Sequence, residues 1–131
     1  MLPEVEISLD DNMPEWSTFL IFATDVMDYL LDQQYDTLIS IDVHPSLEGH
    51  AAGFCHGDDY HVIIDLALTS MGEPYTLSEL ARNLAHELVH ASQYIQHDGV
   101  HPCPGLPPEQ DPWERQAQDL EDQLVELFWS L

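Results

Sequence analysis

The sequence predicts an α+β fold in which three helices pack against a small sheet. Apolar residues recur at helical spacing in three segments, about residues 13–34, 76–97 and 112–130. Between the first two, residues 37–68 are rich in β-branched and apolar side chains, which favours a mainly three-stranded sheet. A chain of 131 residues is most simply one domain, spanning residues 1–131.

The first helix is expected to begin at Asn12-Met-Pro-Glu15, which has the spacing of a capping box with an early proline. Apolar residues then follow at helical spacing from Trp16 to Leu31, with aspartates on the opposite face. Before this helix, EVEISL (residues 4–9) alternates polar and apolar residues and is compatible with a short strand.

The predicted sheet consists of TLISIDV (37–43), AAGFCH (51–56) and YHVIIDLAL (60–68). Gly57-Asp58-Asp59 separates the last two segments, and three loop residues that include glycine favour a hairpin. These segments should therefore pair with each other.

The second helix is expected to begin at the capping box Thr76-Leu-Ser-Glu79 and to end near Asp98-Gly99. Its apolar residues cover most of its circumference, so it should be buried. A proline-rich loop (99–110) follows, and Asp111-Pro-Trp-Glu114 opens the last helix.

The composition is strongly acidic, with 25 acidic residues, two arginines (Arg82 and Arg115) and a formal net charge of −23. Such a surface repels phosphate, so neither nucleic acid nor an anionic membrane is an expected partner. Adaptation to a high-salt cytosol explains the acidity best. Mimicry of a nucleic-acid backbone and drift to a low isoelectric point are the alternatives.

The N-terminal residues lack the basic and apolar segments of a signal peptide, and no apolar run is long enough to span a membrane. A soluble cytoplasmic protein is therefore expected. In a reducing cytosol, Cys55 and Cys103 should be free thiols. Cys55 and His56, close to His61, suit an edge strand and are not expected to bind a second metal ion.

The second helix carries the sequence HELVH, in which His86, Glu87 and His90 have the spacing of a metal site. Four positions correspond to about 400° of rotation, so the two histidines lie on one face and can bind one cation together. Glu87 lies about 100° further round, where its carboxylate can reach a water on that cation. Zinc lowers the pKa of such a water from about 16 toward 7, and a carboxylate base can then generate the hydroxide that attacks a peptide carbonyl.

Chance and a structural role are the alternative explanations of this motif. The chain contains eight histidines, and core histidines are commonly satisfied by ordinary hydrogen bonds. However, two histidines and a glutamate in an otherwise apolar helix are costly to desolvate unless something binds them. This context favours the metal site.

A catalytic zinc needs a third protein ligand, which should come from beyond the second helix. Glu114 is the leading candidate, although it also completes the predicted capping box of the last helix. Glu121, two turns later on nearly the same helix face, is one alternative. His97 and His101 are the others.

Two stretches, HELVHASQY (86–94) and DPWERQAQDLE (111–121), resemble the small single-domain gluzincins (minigluzincins) and the SprT-like metallopeptidases, which are frequent in phage and prokaryotic genomes. The resemblance implies a zincin-like fold in which one Zn²⁺ is bound by the two histidines of HELVH and by Glu114, with Glu87 as the general base. It also implies that an edge strand of the sheet pairs with an extended substrate above the metal.

The residues expected to orient the metal ligands depart from the family pattern. Many larger gluzincins have an aspartate four residues after the glutamate ligand, where it orients a histidine, but this position holds Gln118, with Asp119 next. His61 and Tyr94 are the candidates for contacting the oxyanion or the substrate.

The sequence thus predicts a zinc-dependent peptidase that acts on a peptide or protein substrate. The alternative is an acidic non-catalytic binding protein, either a DNA mimic or a zinc-stabilised pseudo-peptidase.

Overall fold

Three helices and a mixed sheet make up the part of the chain that the structure, a computed structural model, describes: residues 5–31, 36–57, 60–97, 99 and 106–130. In chain order the elements are β1 (Val5–Leu9), α1 (Trp16–Leu30), β2 (Thr37–His44), β3 (Gly53–Gly57), β4 (His61–Ala67), β5 (Thr69–Ser70), β6 (Glu73–Pro74), α2 (Leu77–Gln96) and α3 (Pro112–Phe128). Short 3₁₀ turns occur at Glu48–His50 and Pro108–Gln110.

The main sheet has the strand order β1-β2-β4-β3, and β5 pairs with β6 in a separate small hairpin. Strands β1, β2 and β4 are parallel, whereas β3 runs antiparallel to β4 at the edge of the sheet. The predicted α+β class and the pairing of β3 with β4 are confirmed, but the expectation of three main strands is wrong. The fourth is β1, which α1 connects to β2 as a parallel neighbour, a long-range pairing that the local pattern of EVEISL does not encode.

The main sheet has one buried side and one solvent-facing side. Ile39 and Ile41 on β2, and Val62, Ile64 and Leu66 on β4, are buried beneath the helices. Successive strand residues point to opposite faces, so the residues between them lie on the other side. We call this side the open face; it carries Ser40, Asp42, His44, His56, His61 and Asp65.

Helix α2 occupies the centre of the helical layer, where it packs on β3 and β4 and against α1 and α3. It contributes Leu80, Leu84 and Leu88 to the core, and none of the three is more than 2% exposed. Burial of one such side chain stabilises the fold by about 1.5–3 kcal/mol. The buried leucines therefore fix the backbone of α2, from which His86, Glu87 and His90 project.

Helices α2 and α3 begin where the sequence predicts, but only α2 has the expected capping box: at α3, Asp111 caps the helix and Glu114 does not complete the predicted box. At the start of α2, the Thr76 hydroxyl accepts a hydrogen bond from the Glu79 N–H at 3.1 Å, and the Glu79 carboxylate accepts one from the Thr76 N–H at 3.0 Å. This is the expected capping box. Helix α3 begins after Asp111, whose carboxylate accepts the Trp113 N–H at 2.9 Å.

The start of α1 was predicted wrongly. The helix begins at Trp16, after Glu15 in the left-handed backbone conformation (φ 52°), and no side chain caps it. Asp10 instead accepts the Asn12 N–H at 2.9 Å, so the residues of the expected capping box form a turn before the helix. The helix ends at Leu30, before the predicted position.

Several predictions concern residues that the structure does not describe: the Asp58-Asp59 turn, His101 and Cys103. Cys55, which is described, is a free thiol as predicted. No helix in the described ranges is both long and apolar enough to cross a membrane.

Candidate metal centre

Helix α2 brings His86, Glu87 and His90 together as its sequence spacing predicts. One ligand atom from each of the three side chains lies within 4.8 Å of the others. The imidazoles are 19% and 16% exposed, and Glu87 is 7% exposed. The group therefore lies at the edge of the core, where it is covered by protein but can still be reached.

Helix α3 adds Glu114 to this group. Its Oε1 lies 2.9 Å from His86 Nε2, and its Oε2 lies 2.9 Å from His90 Nε2. Asp111 caps the helix through the Trp113 N–H. The Glu114 carboxylate is not used in this cap and lies against the two histidines. The burial of Trp113, which is 7% exposed, anchors the turn that carries Glu114.

The outer nitrogens of the same two rings have different partners. His86 Nδ1 lies 2.8 Å from Glu121 Oε2, and His90 Nδ1 lies 2.8 Å from Gln93 Oε1. Acceptors at Nδ1 place the ring proton there and leave Nε2 free to act as a ligand. Both Nε2 atoms thus face Glu114, whereas Glu121, weighed as an alternative third ligand, lies on the far edge of the His86 ring.

Other polar contacts hold these two orienting side chains in place. Arg82 Nη2 lies 2.9 Å from Glu121 Oε1, and Arg82 Nε donates to Asp122 at 2.8 Å. The Gln93 amide donates to the Trp113 carbonyl at 3.0 Å and to Gln116 Oε1 at 2.8 Å. The support of the histidines therefore continues into both α2 and α3.

Sequence reasoning missed Gln93 and Arg82 and did not identify the acid that orients His86. Gln118, where the family pattern has an aspartate, only reaches Glu114 Oε1 at 3.4 Å. The acid that orients His86 is Glu121, seven positions after Glu114 and on nearly the same face of α3. The spacing of three between His90 and Gln93 on one helix is the signal that could have identified the second support.

Glu87 is the least satisfied polar side chain of the group. Its Oε2 is buried and has no hydrogen-bond partner among the described residues. Burial raises the pKa of the Glu87 carboxyl, His90 and His86 lower it, and Glu114 and Glu121 raise it, with a net increase. A carboxylate in this position is costly unless it interacts with a group that enters the site.

Strand β3 runs directly beside Glu87. A Cβ atom at Gly53 would lie 3.1 Å from Glu87 Cγ, 3.0 Å from the Asp65 carbonyl oxygen and 3.2 Å from Leu66 Cδ2. Only a residue without a side chain leaves these neighbours undisturbed. The general-base candidate therefore lies between the metal-binding face of α2 and the edge strand.

The remaining predicted site residues are placed differently. Tyr94 packs edge-on against Trp113, with ring centroids 5.4 Å apart. Burial raises the pKa of the Tyr94 hydroxyl, and Cys55, Asp111 and Glu87 raise it further. By contrast, His61 lies on the open face and contacts Ser40 at 2.9 Å, so the structure does not bring it to the histidines of α2. The ring of His97 lies 5.5 Å from that of Trp113.

Cys55 points from β3 toward α2, on the same side of the strand as Gly53. Burial raises the pKa of its thiol well above the usual value, and the charges of Glu87 and Asp65 raise it further. The thiol therefore stays protonated and is a poor nucleophile or metal ligand.

Comparison with known proteins adds no relative: no family model, no curated protein and no solved structure matches this chain. The function has to be inferred from the geometry of the site and from the motifs that carry the resemblance.

Proposed function

We propose that this protein is a zinc-dependent peptidase of the gluzincin type, with His86, His90 and Glu114 as metal ligands and Glu87 as the general base. One observation carries the proposal. The Nε2 atoms of both histidines converge on one carboxylate, while both Nδ1 atoms are occupied by other acceptors. This division of the ring nitrogens is typical of histidines that bind a metal.

The donor set and its spacing fit zinc. Two imidazole nitrogens and a carboxylate, with one position left for water, are a ligand set that catalytic zinc uses. Tetrahedral ligands at about 2.0–2.1 Å from the ion stand roughly 3.3 Å from one another. The observed nitrogen–oxygen separations of 2.9 Å are close to this value, so a small outward movement of the side chains makes room for the ion.

A zinc ion held there would supply Lewis acidity toward a water molecule and toward a peptide carbonyl. The role of Glu87 follows from its own environment. Its carboxylate is buried beside the histidines, its pKa is raised, and Oε2 has no partner among the described residues. It is suited to accept a proton from an attacking water and to return that proton to the leaving amine.

The edge position of β3 suits an extended substrate. Among the described strands, β3 pairs with β4 alone, and Gly53 places β3 beside Glu87. A peptide that pairs with the outer side of such a strand forms main-chain hydrogen bonds whatever its side chains are. Tyr94 is retained as a candidate contact for the substrate or the oxyanion.

The charge of the protein bears on the choice of substrate. With a formal net charge of −23, the protein should bind basic or neutral peptide segments in preference to acidic ones at low salt. Nucleic acids and anionic membranes are not proposed as partners, for the same electrostatic reason.

The test combines metal content with turnover. Protein purified without added metal, at low and at high salt, should contain about one zinc per chain and should cleave an unstructured peptide mixture. Glu87→Gln should keep the zinc and lose turnover, because the amide cannot accept the proton. A folded protein unable to take up zinc, or a Glu87→Gln variant that cleaves at the wild-type rate, would refute the proposal. Zinc without turnover in the wild type would instead support the zinc-stabilised pseudo-peptidase.

A further inference from the structure

A second histidine–carboxylate–histidine cluster lies on the open face of the sheet. Asp65 Oδ1 lies 2.9 Å from His44 Nε2, and Asp65 Oδ2 lies 3.1 Å from His56 Nε2. The three side chains come from three adjacent strands, β2, β4 and β3. We call them the open-face cluster.

The open-face cluster repeats the inner contacts of the metal centre. In both places one carboxylate lies between two imidazoles, with each of its oxygens about one hydrogen-bond length from an Nε2 atom. Both clusters therefore offer two imidazole nitrogens and a carboxylate, which zinc and other divalent transition metals bind readily. Calcium and magnesium prefer sites made only of oxygen ligands.

We propose that His44, His56 and Asp65 form a second metal site, which takes a divalent transition-metal ion such as Zn²⁺ on the open face of the sheet. This inference departs from the sequence-based expectation that His56 binds no second metal ion, because that expectation did not include Asp65 and His44, which the fold brings to His56. It does not rest on the proposed peptidase activity. It rests on the three side chains and on the exposure of the sheet face that carries them.

The ligands have to move before they can close around an ion: within the described part of the chain, the group on α2 has its three ligand atoms within 4.8 Å of one another, and the open-face cluster does not. The two Nε2 atoms lie on different oxygens of the carboxylate, so the rings must turn toward a common point. Their side chains are 42% and 55% exposed, which leaves them free to turn, whereas Asp65 is only 22% exposed and provides the fixed ligand. Asp42 lies beside Asp65 in the register of β2 and β4 and is exposed, so a further carboxylate is available at the same place.

Charge favours the binding of a cation at this place. The whole chain has only two arginines and no lysine, so the carboxylates of the open face have few competing cations. A divalent ion bound by Asp65, with Asp42 next to it, would relieve their mutual repulsion. The expected cost is the loss of two imidazole–carboxylate contacts at the surface, which is small.

The position of the cluster gives such an ion a structural consequence. Gly53 on β3 lies against the Asp65 carbonyl on β4 and against Glu87 on α2. An ion that joins His56 of β3 to Asp65 of β4 and His44 of β2 would therefore hold β3 in its position on the sheet. It would do so from the open face, opposite to the side on which β3 contacts α2. Binding of Zn²⁺ at the open face should raise the melting temperature.

The experiment is a Zn²⁺ titration of the chelator-treated full chain by calorimetry, with bound zinc counted after dialysis. Wild type should bind one ion tightly and a second more weakly. A His44→Ala/His56→Ala double variant should keep the tight ion and lose the weaker one, with its affinity reduced more than about tenfold. His61→Gln, which removes an exposed imidazole from the same face without touching Asp65, is the matched control and should keep both ions.

Two outcomes would overturn the inference: a wild-type chain that binds no ion attributable to the open face, or a double variant that binds as many ions as wild type. NMR spectra that correlate the imidazole nitrogens with the ring protons provide the direct readout. Binding of the second ion should shift the nitrogen signals of His44 and His56 together. A wild type that binds a single ion, lost in the double variant, would support the second site and refute the proposed metal centre.

Discussion

The candidate metal centre (His86, His90 and Glu114) and the open-face cluster each combine two imidazoles with one carboxylate, but the two differ in the contacts that support the imidazoles. At the metal centre, the Nδ1 atoms of His86 and His90 are held by Glu121 and Gln93, which are themselves held by further contacts. Among the described residues, the imidazoles of His44 and His56 have no such support at Nδ1.

This difference has its origin in the elements that carry the two clusters. Helices α2 and α3 face each other over several turns, so neighbouring turns can supply both the inner contacts and the outer supports. On a sheet, alternate residues point away from the cluster. The described side chains of the open face are half-buried or exposed, so they offer few neighbours that could support the imidazoles. The two clusters offer the same ligand types, so the identity of the ligands cannot make their metal affinities differ. We expect the buried hydrogen-bond partners at Nδ1 to give the candidate metal centre the higher affinity.

The largest expected difference between the two clusters is in stability. His90→Ala should lower the free energy of unfolding by about 2–4 kcal/mol, because it leaves Gln93 and Glu114 partly buried without their partner. His56→Ala should change it by less than about 1 kcal/mol, because the side chain is exposed. Urea denaturation of the two variants without metal checks this, and equal losses would contradict the comparison.

The second prediction concerns the support of His86. Glu121→Gln should weaken zinc binding at the metal centre by about 10–100-fold while the site can still be filled, because the amide orients the ring less strongly than the carboxylate. Asp122→Asn is the matched control, since Asp122 also contacts Arg82 but is exposed and does not reach a histidine. Competition with a chromogenic chelator gives both affinities. An equal effect of the two changes would show that Glu121 acts only through Arg82.

The third prediction tests the contact between β3 and the metal-binding helix. Gly53→Ala adds a methyl group 3.1 Å from Glu87 Cγ, so the carboxylate must shift by a few tenths of an ångström. Since a misplacement of 1 Å can cost about 100-fold in rate, kcat should fall roughly tenfold. The zinc content of the candidate metal centre should not change, because none of the atoms nearest to the added methyl group belongs to His86, His90 or Glu114. Steady-state kinetics together with zinc analysis separate this positioning role from general destabilisation, and an unchanged kcat would show that Glu87 tolerates the shift.

The smallest effect is expected at Asp65 and depends on pH. Burial raises the pKa of this carboxyl, but hydrogen bonds and charge interactions with His44 and His56 outweigh burial and lower it below its ordinary value of 3.8. Ionised Asp65 therefore stabilises the fold above that value, and the contribution is lost as the pH falls through the lowered pKa. Asp65→Asn should cost less than about 1 kcal/mol at pH 6, and the difference from wild type should shrink toward pH 3. Metal-free urea midpoints at both pH values check this, and a difference that grows on acidification would contradict it.

Local spacing was enough to predict several parts of the molecule. The capping box of α2, the pairing of β3 with β4 and the shared helix face of His86 and His90 depend on residues close in sequence, so the pattern contains them. Glu114 could be predicted as the carboxylate nearest the two histidines, because the first turn of the next helix along the chain can pack against α2. The prediction for α1 failed because Asp10, outside the expected capping box, captures the Asn12 N–H.

The sequence by itself determined which helix carries the metal-binding motif, because an α-helix places residues four apart on one face whatever surrounds it. Tertiary structure alone decided which carboxylate faces the Nε2 atoms and which faces Nδ1. Glu114 and Glu121 lie on nearly the same face of α3, two turns apart, so the packing of α3 on α2 determines which ring nitrogen each one reaches. Tertiary structure also decided that β1 completes the sheet and that His44, His56 and Asp65 meet. Those side chains come from three strands whose register is set by long-range pairing, and no local spacing carries that information.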